Sequence, residues 1–260
     1  MAETKKELGQ HWLRDEQILQ SIVDAGEVGE GDYVLEIGPG EGTLTQKLID
    51  TGAQIHAVEF DQDLIPALET KFAYCEKFAI SSGDIRTFNF EILPGGYKII
   101  ANIPYYLTSN LIRIISESTN PPKVAVLLIQ KEVAERICAM PGQMSILSVI
   151  AQFYFDCSLG VEVPAKYFTP PPKVDSQVVV LGRRNSKLFD VEDKEFFRLV
   201  KAGFSEKRKT LRNALSGGLR LEKSEVEQLL SSAGIDASRR AQSLSLDEWY
   251  KIYSHFSSQN

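Results

Sequence analysis

Short apolar runs alternate with amphipathic stretches along most of the chain. Val34, Leu35 and Ile37 form a run suited to a buried strand, with Glu36 the exception. Similar runs are Q-I-H-A-V-E ending on Glu59, Phe78 to Asp84, Tyr97 to Ala101, Val124 to Gln130, and V-V-V-L from Val178 to Leu181. Helical spacing fills the gaps: Thr43 to Ile49, a helix opening at Asp61 as its N-cap, Leu107 to Ser116, Lys131 to Ala139 and Ser145 to Phe153. Ahead of the first strand, Ile18, Leu19, Ile22 and Val23 make an apolar stripe. Alternating strands and helices predict an α/β fold. Past R-R-N-S-K the pattern turns wholly helical, so the expected domains are 1–185 and 186–260.

Composition fits this picture without sharpening it. A chain of 260 residues with 43% hydrophobic and 25% charged residues can bury a core. Cys75, Cys138 and Cys157 are widely spaced, with no C-x-x-C, which favours buried thiols over zinc or disulfides. No apolar run approaches a membrane span and no signal-peptide core opens the sequence, so a cytoplasmic protein without membrane contact is expected. The net charge of −6 disfavours a globally basic nucleic-acid binder. Its distribution is uneven, however. Ten basic and five acidic residues lie between Arg183 and Arg212, so that sector can face a polyanion or be a solvated surface.

Candidate chemistry gathers at the predicted strand ends. Gly38, Gly40 and Gly42 follow the first strand at once, and a glycine turn there brings a ligand close to free backbone N–H groups. The spacing is G-x-G-x-G, unlike the G-x-G-x-x-G of dinucleotide binders. Glu59 ends the second strand, where an acid suits the two hydroxyls of a ribose. Asp84 ends the third and suits the exocyclic amine of a base. At the fourth strand end stands N-I-P-Y, Asn102 to Tyr105. The Asn102 side-chain oxygen and a carbonyl at the Pro104 bend can accept hydrogen bonds from an amino group, and Tyr105 offers a stacking face. Phe168, held ahead of three consecutive prolines, can stand across a cleft from Tyr105. Asn and Pro are also common in ordinary turns, and the proline loop can be plain surface. G-Q-H-W-L-R-D, Gly9 to Asp15, either folds over the pocket or caps the domain.

In order from Gly9 to Asn213, the motifs G-Q-H-W-L, E-I-G-P-G-E-G, the strand-end acids, N-I-P-Y, F-T-P-P-P-K-V-D-S and R-K-T-L-R-N closely resemble the ribosomal RNA adenine dimethyltransferases of the small subunit. The resemblance implies a Rossmann-like class I methyltransferase domain followed by a small helical rRNA-binding domain. It implies S-adenosylmethionine as donor and the 6-amino groups of two adjacent adenines, near the 3′ end of small-subunit rRNA, as acceptors. The partner would be the immature small ribosomal subunit, met by a monomer. Carried over by position, Gly38 lies against the methionine part, Glu59 takes the ribose, Asp84 the adenine amine, and Asn102 borders cofactor and substrate. His11 and Leu13 fall where the N-terminal motif touches the cofactor. That motif commonly reads G-Q-N-F-L, and here His11 and Trp12 stand in for Asn and Phe.

Methyl transfer needs no metal or general base in this reading. Hydrogen bonds to Asn102 and the Pro104 region make the amine more tetrahedral, and positioning supplies roughly 7–11 kcal/mol. Tyr105 and Phe168 would hold a flipped base. Three alternatives remain: a macrolide-resistance methyltransferase of the large subunit, which shares N-I-P-Y; a non-catalytic assembly factor; and a dehydrogenase, which the glycine spacing disfavours.

Overall fold

A computed structural model describes residues 9–257. In chain order the elements are β1 (Trp12–Leu13), α1 (Glu16–Ala25), β2 (Tyr33–Ile37), α2 (Thr43–Asp50), β3 (Gln54–Glu59), α3 (Ile65–Lys71), β4 (Phe78–Ser82) and β5 (Lys98–Asn102). There follow α4 (Thr108–Glu117), β6 (Val124–Gln130), α5 (Lys131–Ile137), α6 (Ile146–Tyr154), β7 (Phe155–Val163), β8 (Phe168–Thr169) and β9 (Ser176–Arg183). Four helices close the chain: α7 (Asp193–Gly203), α8 (Leu211–Leu219), α9 (Lys223–Ser232) and α10 (Leu246–Ser257). They form two compact units, Met1–Glu135 with Phe155–Arg183, and Arg136–Tyr154 with Arg184–Asn260.

The first unit is a seven-stranded sheet in the order β4-β3-β2-β5-β6-β9-β7. The pairings from β4 through β6 are parallel, and β9 runs antiparallel to both β6 and β7. Parallel strands are covered on both faces and therefore read as unbroken apolar runs. Val34, Leu35, Ile99, Ile100 and Val126 to Ile129 are buried for this reason. Helix α1 starts where Asp15 Oδ1 accepts the N–H groups of Gln17 and Ile18, and it buries Leu19, Ile22 and Val23 in the core cluster of this sheet. Full burial of one such side chain contributes about 1.5–3 kcal/mol.

Several expectations need correction here. Strand β7 is absent from the sequence pattern, because F-D-C-S-L-G-V-E-V is an edge strand with a register shift between Leu159 and Glu162, and its polarity does not alternate cleanly. Strand β9 is longer than the four residues expected. Asp61 is not the cap of α3, which begins at Ile65 after Leu64; its Oδ1 instead accepts the Asp63 N–H within the preceding turn. The second unit is all-helical, but it does not start only after residue 185. Helix α6 belongs to it, since the Phe153 ring packs on Phe196 and Phe197 at 5.1 and 5.4 Å. Trp249 of α10 is fully buried in the same unit. Finally, Lys207, Arg208 and Lys209 are not helical: residues 204–210 form turns, and α8 begins at Leu211.

Candidate active site

A cavity lies at the carboxyl ends of β2, β3, β4 and β5, where doubly wound sheets place their ligands. Its floor is the turn between β2 and α2. Gly38, Gly40 and Gly42 all have positive φ, of 67°, 59° and 75°. At Gly38 the reason is access, since nothing lies within 4 Å of the place a Cβ would occupy. At Gly40 it is also packing, because a Cβ would stand 3.3 Å from the Trp12 indole nitrogen. Gly42 caps α2 without a side-chain bond, so the first-turn amides keep their donors.

Glu59 ends β3 and is braced by this turn. Its Oε2 accepts the Gly40 N–H at 3.1 Å and its Oε1 the Asp61 N–H at 2.8 Å. Glu59 is only 5% exposed, and burial raises its pKa while the backbone bonds work in the opposite direction. Two fixed oxygens, each with a lone pair left over, suit the paired hydroxyls of a ribose. Asp84 lies past the end of β4. Its carboxylate accepts Arg86 Nε at 2.9 Å on both oxygens and Nη2 at 2.5 Å on Oδ2. The adjoining guanidinium holds this carboxyl below the usual range. Asp84 is thus ionised at neutral pH and paired with Arg86.

Asn102 closes β5. Its Nδ2 donates to the His11 carbonyl at 3.2 Å, which leaves Oδ1 as the acceptor of this side chain. The chain then bends through Ile103 and Pro104, and the Pro104 carbonyl accepts the Leu107 N–H at 3.0 Å. That oxygen already carries one bond. The Tyr105 hydroxyl lies 2.8 Å from Ser176 Oγ, and its ring stacks on His11 at a centroid distance of 6.1 Å.

The segment Gly9 to Asp15 crosses this cavity and is fastened at several points. His11 Nδ1 sits 2.7 Å from the Pro170 carbonyl, which can only accept, so Nδ1 carries the proton. Leu13 pairs with Phe168 where β1 runs antiparallel to β8, and the Leu13 carbonyl accepts Thr43 Oγ1 at 2.9 Å. Arg14 bonds Glu41 of the glycine turn at 2.7 Å. Of the two readings of this segment, cavity wall or plain cap, the structure gives the first.

All nine expected site residues, His11, Leu13, Gly38, Glu59, Asp84, Asn102, Pro104, Tyr105 and Phe168, line this cavity. Phe168, expected as a rigid aromatic across the cleft from Tyr105, lines the cavity but presents little open surface. Phe168 is 3% exposed and packs in the core cluster of the sheet with Leu13, its partner across β1 and β8. Four further cavity residues escape a reading of the sequence alone. Phe60 and Tyr106 are 54% and 60% exposed on the wall, and each directly follows an expected site residue. Arg86 carries no motif of its own, and its partner lies only two positions away. Glu36 shows in the sequence merely as an interruption of the apolar run; it is 1% exposed and its Oε2 has no partner.

The fold and the site define a Rossmann-like methyltransferase. The family model for ribosomal RNA adenine dimethylase matches residues 1–258, and the chain belongs to that family. A ribosomal RNA small subunit methyltransferase A from Dehalococcoides mccartyi is 42% identical over 252 residues, covering 95% of this chain and 87% of the relative. Among solved structures, a dimethyladenosine transferase from Plasmodium falciparum superposes with a TM-score of 0.83 at 27% identity, covering 96% of this chain and 98% of the other. The 23S rRNA methyltransferase ErmE gives 0.76 at 25% identity, covering 95% and 99%.

Proposed function

We propose that this chain dimethylates the 6-amino groups of two adjacent adenines near the 3′ end of small-subunit rRNA, using S-adenosylmethionine, during assembly of the small ribosomal subunit. The carrying observation is the convergence of Asn102 Oδ1, the open glycine turn and the buried Glu59 carboxylate on one cavity. The residues present fit the cofactor. Gly38 leaves room for close approach, and Glu59 presents two fixed acceptors for the ribose. Asp84 is an ionised acceptor for the adenine amine, and the exposed Phe60 ring beside Glu59 offers an apolar face to the base. His11 and Leu13 supply the wall opposite the glycine turn.

When bound, S-adenosylmethionine supplies a methyl group made electrophilic by its sulfonium. The residues of the chain do the remaining work. Asn102 Oδ1 and a carbonyl at the Pro104 bend accept the two N–H bonds of the adenine amine, drawing its lone pair out of conjugation with the ring. Held in this way, the lone pair would point at the donor methyl group, and the proton that the amine must lose would pass to solvent. Tyr105 holds the flipped base by its face, with its hydroxyl anchored on Ser176. Tyr106, exposed at the wall, is a better candidate than the buried Phe168 for a second open aromatic face. The same residues would place the monomethylated amine for the second transfer.

The exposed Lys207, Arg208 and Lys209 of the turn, with the half-buried Arg212 at the start of α8, would meet rRNA phosphates. No helix among the described residues is long and apolar enough to cross a membrane. A cytoplasmic monomer acting on the assembling particle is the reading that goes with this substrate. Its test is to map dimethyladenine in rRNA from cells with and without the gene. Loss of the adjacent pair from small-subunit rRNA is expected. Loss of a modified adenine from large-subunit rRNA instead would replace this reading by the macrolide-resistance type.

A further inference from the structure

The Asp84 carboxylate is saturated by one neighbour. Its Oδ1 accepts the Arg86 backbone N–H and Nε, both at 2.9 Å, and its Oδ2 accepts Nε at 2.9 Å and Nη2 at 2.5 Å. An ionised carboxylate offers about four lone-pair sites, and the bonds from Arg86 take up all of them. The adenine amine assigned to Asp84 therefore finds no free acceptor there until the guanidinium moves.

Little holds it in place. The Arg86 side chain is 48% exposed and that of Asp84 24%, and an ion pair so open to water is a weak one. Ile85, between the partners, is buried and anchors the turn. The bond from the Arg86 backbone N–H to Oδ1 does not depend on the guanidinium, so Asp84 keeps this tether when the side chain leaves. Among the described residues, Asp84 is the only hydrogen-bond partner of the guanidinium, which once displaced has no protein acceptor. Arg86 and Tyr106 both line the cavity, and they lie close enough to interact electrostatically. Tyr106 is the exposed aromatic assigned above to the substrate side. A planar cation released at that rim has the donor geometry for a phosphate, with two parallel N–H bonds.

We propose that Arg86 is a latch linking cofactor occupancy to the grip on RNA: it closes on Asp84 in the empty protein, is displaced by the adenine amine of the cofactor, and then pairs with an rRNA phosphate at the cavity rim. The inference rests on the S-adenosylmethionine reading given above. A guanidinium matched by Asp84 has little to offer a second anion, whereas a displaced one is open to it. The coupling is reciprocal by linkage. RNA that draws the guanidinium away leaves the carboxylate open, so the particle raises cofactor affinity by the factor with which the cofactor raises particle affinity.

The test uses the full chain, unmethylated small-subunit particles and S-adenosylhomocysteine, which keeps the adenine amine but has no methyl group to transfer. Particle affinity is measured over roughly the 50–200 mM salt range, with and without saturating S-adenosylhomocysteine, for wild type and Arg86→Ala. In wild type the cofactor product should tighten particle binding about fivefold or more. It should also steepen the slope of log affinity against log salt by roughly 0.7–0.9, the mark of one added phosphate contact. In Arg86→Ala neither change should appear. S-adenosylhomocysteine alone should bind the variant as tightly as wild type or a few-fold tighter, because no latch has to open. Arg86 is exposed, so both proteins should melt together. A wild-type slope that the cofactor product leaves unchanged, or the same steepening in Arg86→Ala, overturns the latch and leaves the cofactor assignment standing. Weaker binding of S-adenosylhomocysteine by Arg86→Ala also overturns it, since Arg86 would then brace Asp84 for the cofactor. No detectable binding of S-adenosylhomocysteine by the wild-type chain overturns the cofactor assignment itself.

Discussion

Asn102 Nδ2 donates to the His11 carbonyl at 3.2 Å, a bond across 91 positions of sequence. It ties the end of a central strand to the segment that crosses the cavity. It also orients the amide, so that Oδ1 is the atom left to accept, from the substrate amine in the mechanism proposed above. The Asn102→Ala variant should lose both features. Single-turnover methylation of small-subunit particles should slow by a hundredfold or more, while particle binding changes little. Asn102→Asp restores an acceptor but removes the donor to His11, and it should recover only part of the rate. Near-normal turnover in Asn102→Ala would make this turn structural and the positioning mechanism wrong.

Glu59 invites a cofactor-binding test with a pH arm. Hydrogen bonds to a charged acceptor contribute about 1.5–3 kcal/mol each. Glu59→Ala should therefore weaken S-adenosylmethionine binding at least tenfold without unfolding the chain. Burial raises the Glu59 pKa, so the carboxyl takes up its proton at a higher pH than an exposed glutamate does. Affinity that depends on the carboxylate should fall as pH drops through that raised value, and Glu59→Gln should flatten this acid limb. The sign for stability is opposite. A raised folded-state pKa means the native form is penalised as pH climbs from the unfolded value toward the folded one. Calorimetry across pH 4.5 to 7.5 would check the first effect, and unchanged affinity in Glu59→Ala would sink the ribose assignment.

Phe168 separates a core residue from a substrate residue. Its ring is buried with Leu13, Leu19 and Val178 in the core of the first unit. Removing a buried phenylalanine costs about 3–5 kcal/mol. Phe168→Ala should therefore show its main deficit in denaturant unfolding, whereas Tyr106→Ala should leave stability alone and slow methylation. A stable Phe168→Ala protein with specifically slowed methylation would restore the stacking role that the sequence suggests.

These residues also mark what a sequence can and cannot make legible. The parallel strands are plain because each is an apolar run closed by a residue that breaks it: Glu59, Asp84 and Asn102. The same break marks the site, since the ends of those strands converge. Side-chain direction is not legible. Nothing in F-T-P-P-P announces that Phe168 pairs with Leu13, more than 150 positions away, and is buried in the core. Exposure is hidden as well, which is why N-I-P-Y points to Tyr105 and not to its neighbour Tyr106. The edge strand β7 escapes because only strands covered on both faces write an unbroken apolar signature. The basic turn reads as a helix because R-K-T-L-R-N-A-L has good helix formers almost throughout, although α8 starts only at Leu211. Glu36 is visible as an acid in an apolar run. Its complete burial between Ala57 and Ile100 emerges only from the packed neighbours.

Gly40 offers a test of how the crossing segment is seated. Its φ of 59° disfavours any side chain, by about 1–2 kcal/mol. A methyl group there would also press on the Trp12 indole. Gly40→Ala should lower stability and weaken cofactor binding together. Combining it with Trp12→Phe should relieve the crowding but not the backbone strain, so the double variant should be better than the sum of the singles. Additive losses in a double-mutant cycle would show that the indole does not rest on the turn.

The basic turn of the second unit gives a prediction that distinguishes four neighbouring cations. Lys209 pairs with Glu206 at 2.8 Å, and Arg212 bonds Glu227. Lys207 and Arg208 are exposed and enter no ion pair among the described residues. Counterion release depends on how many phosphates a protein neutralises, and a cation already matched by a carboxylate has less to give. For each phosphate left without its cation, the slope of log affinity against log salt falls by roughly 0.7–0.9. Replacing Lys207 and Arg208 by alanine should therefore flatten the salt dependence of binding to small-subunit particles by about two such steps. Replacing Lys209 and Arg212 should flatten it less, and removing Glu206 and Glu227 should steepen it. Binding measured over roughly the 50–200 mM salt range, where such slopes are read, makes the comparison, with all variants checked for an unchanged melting temperature. An equal slope in every variant would mean that this turn is simply solvated and that rRNA is held elsewhere.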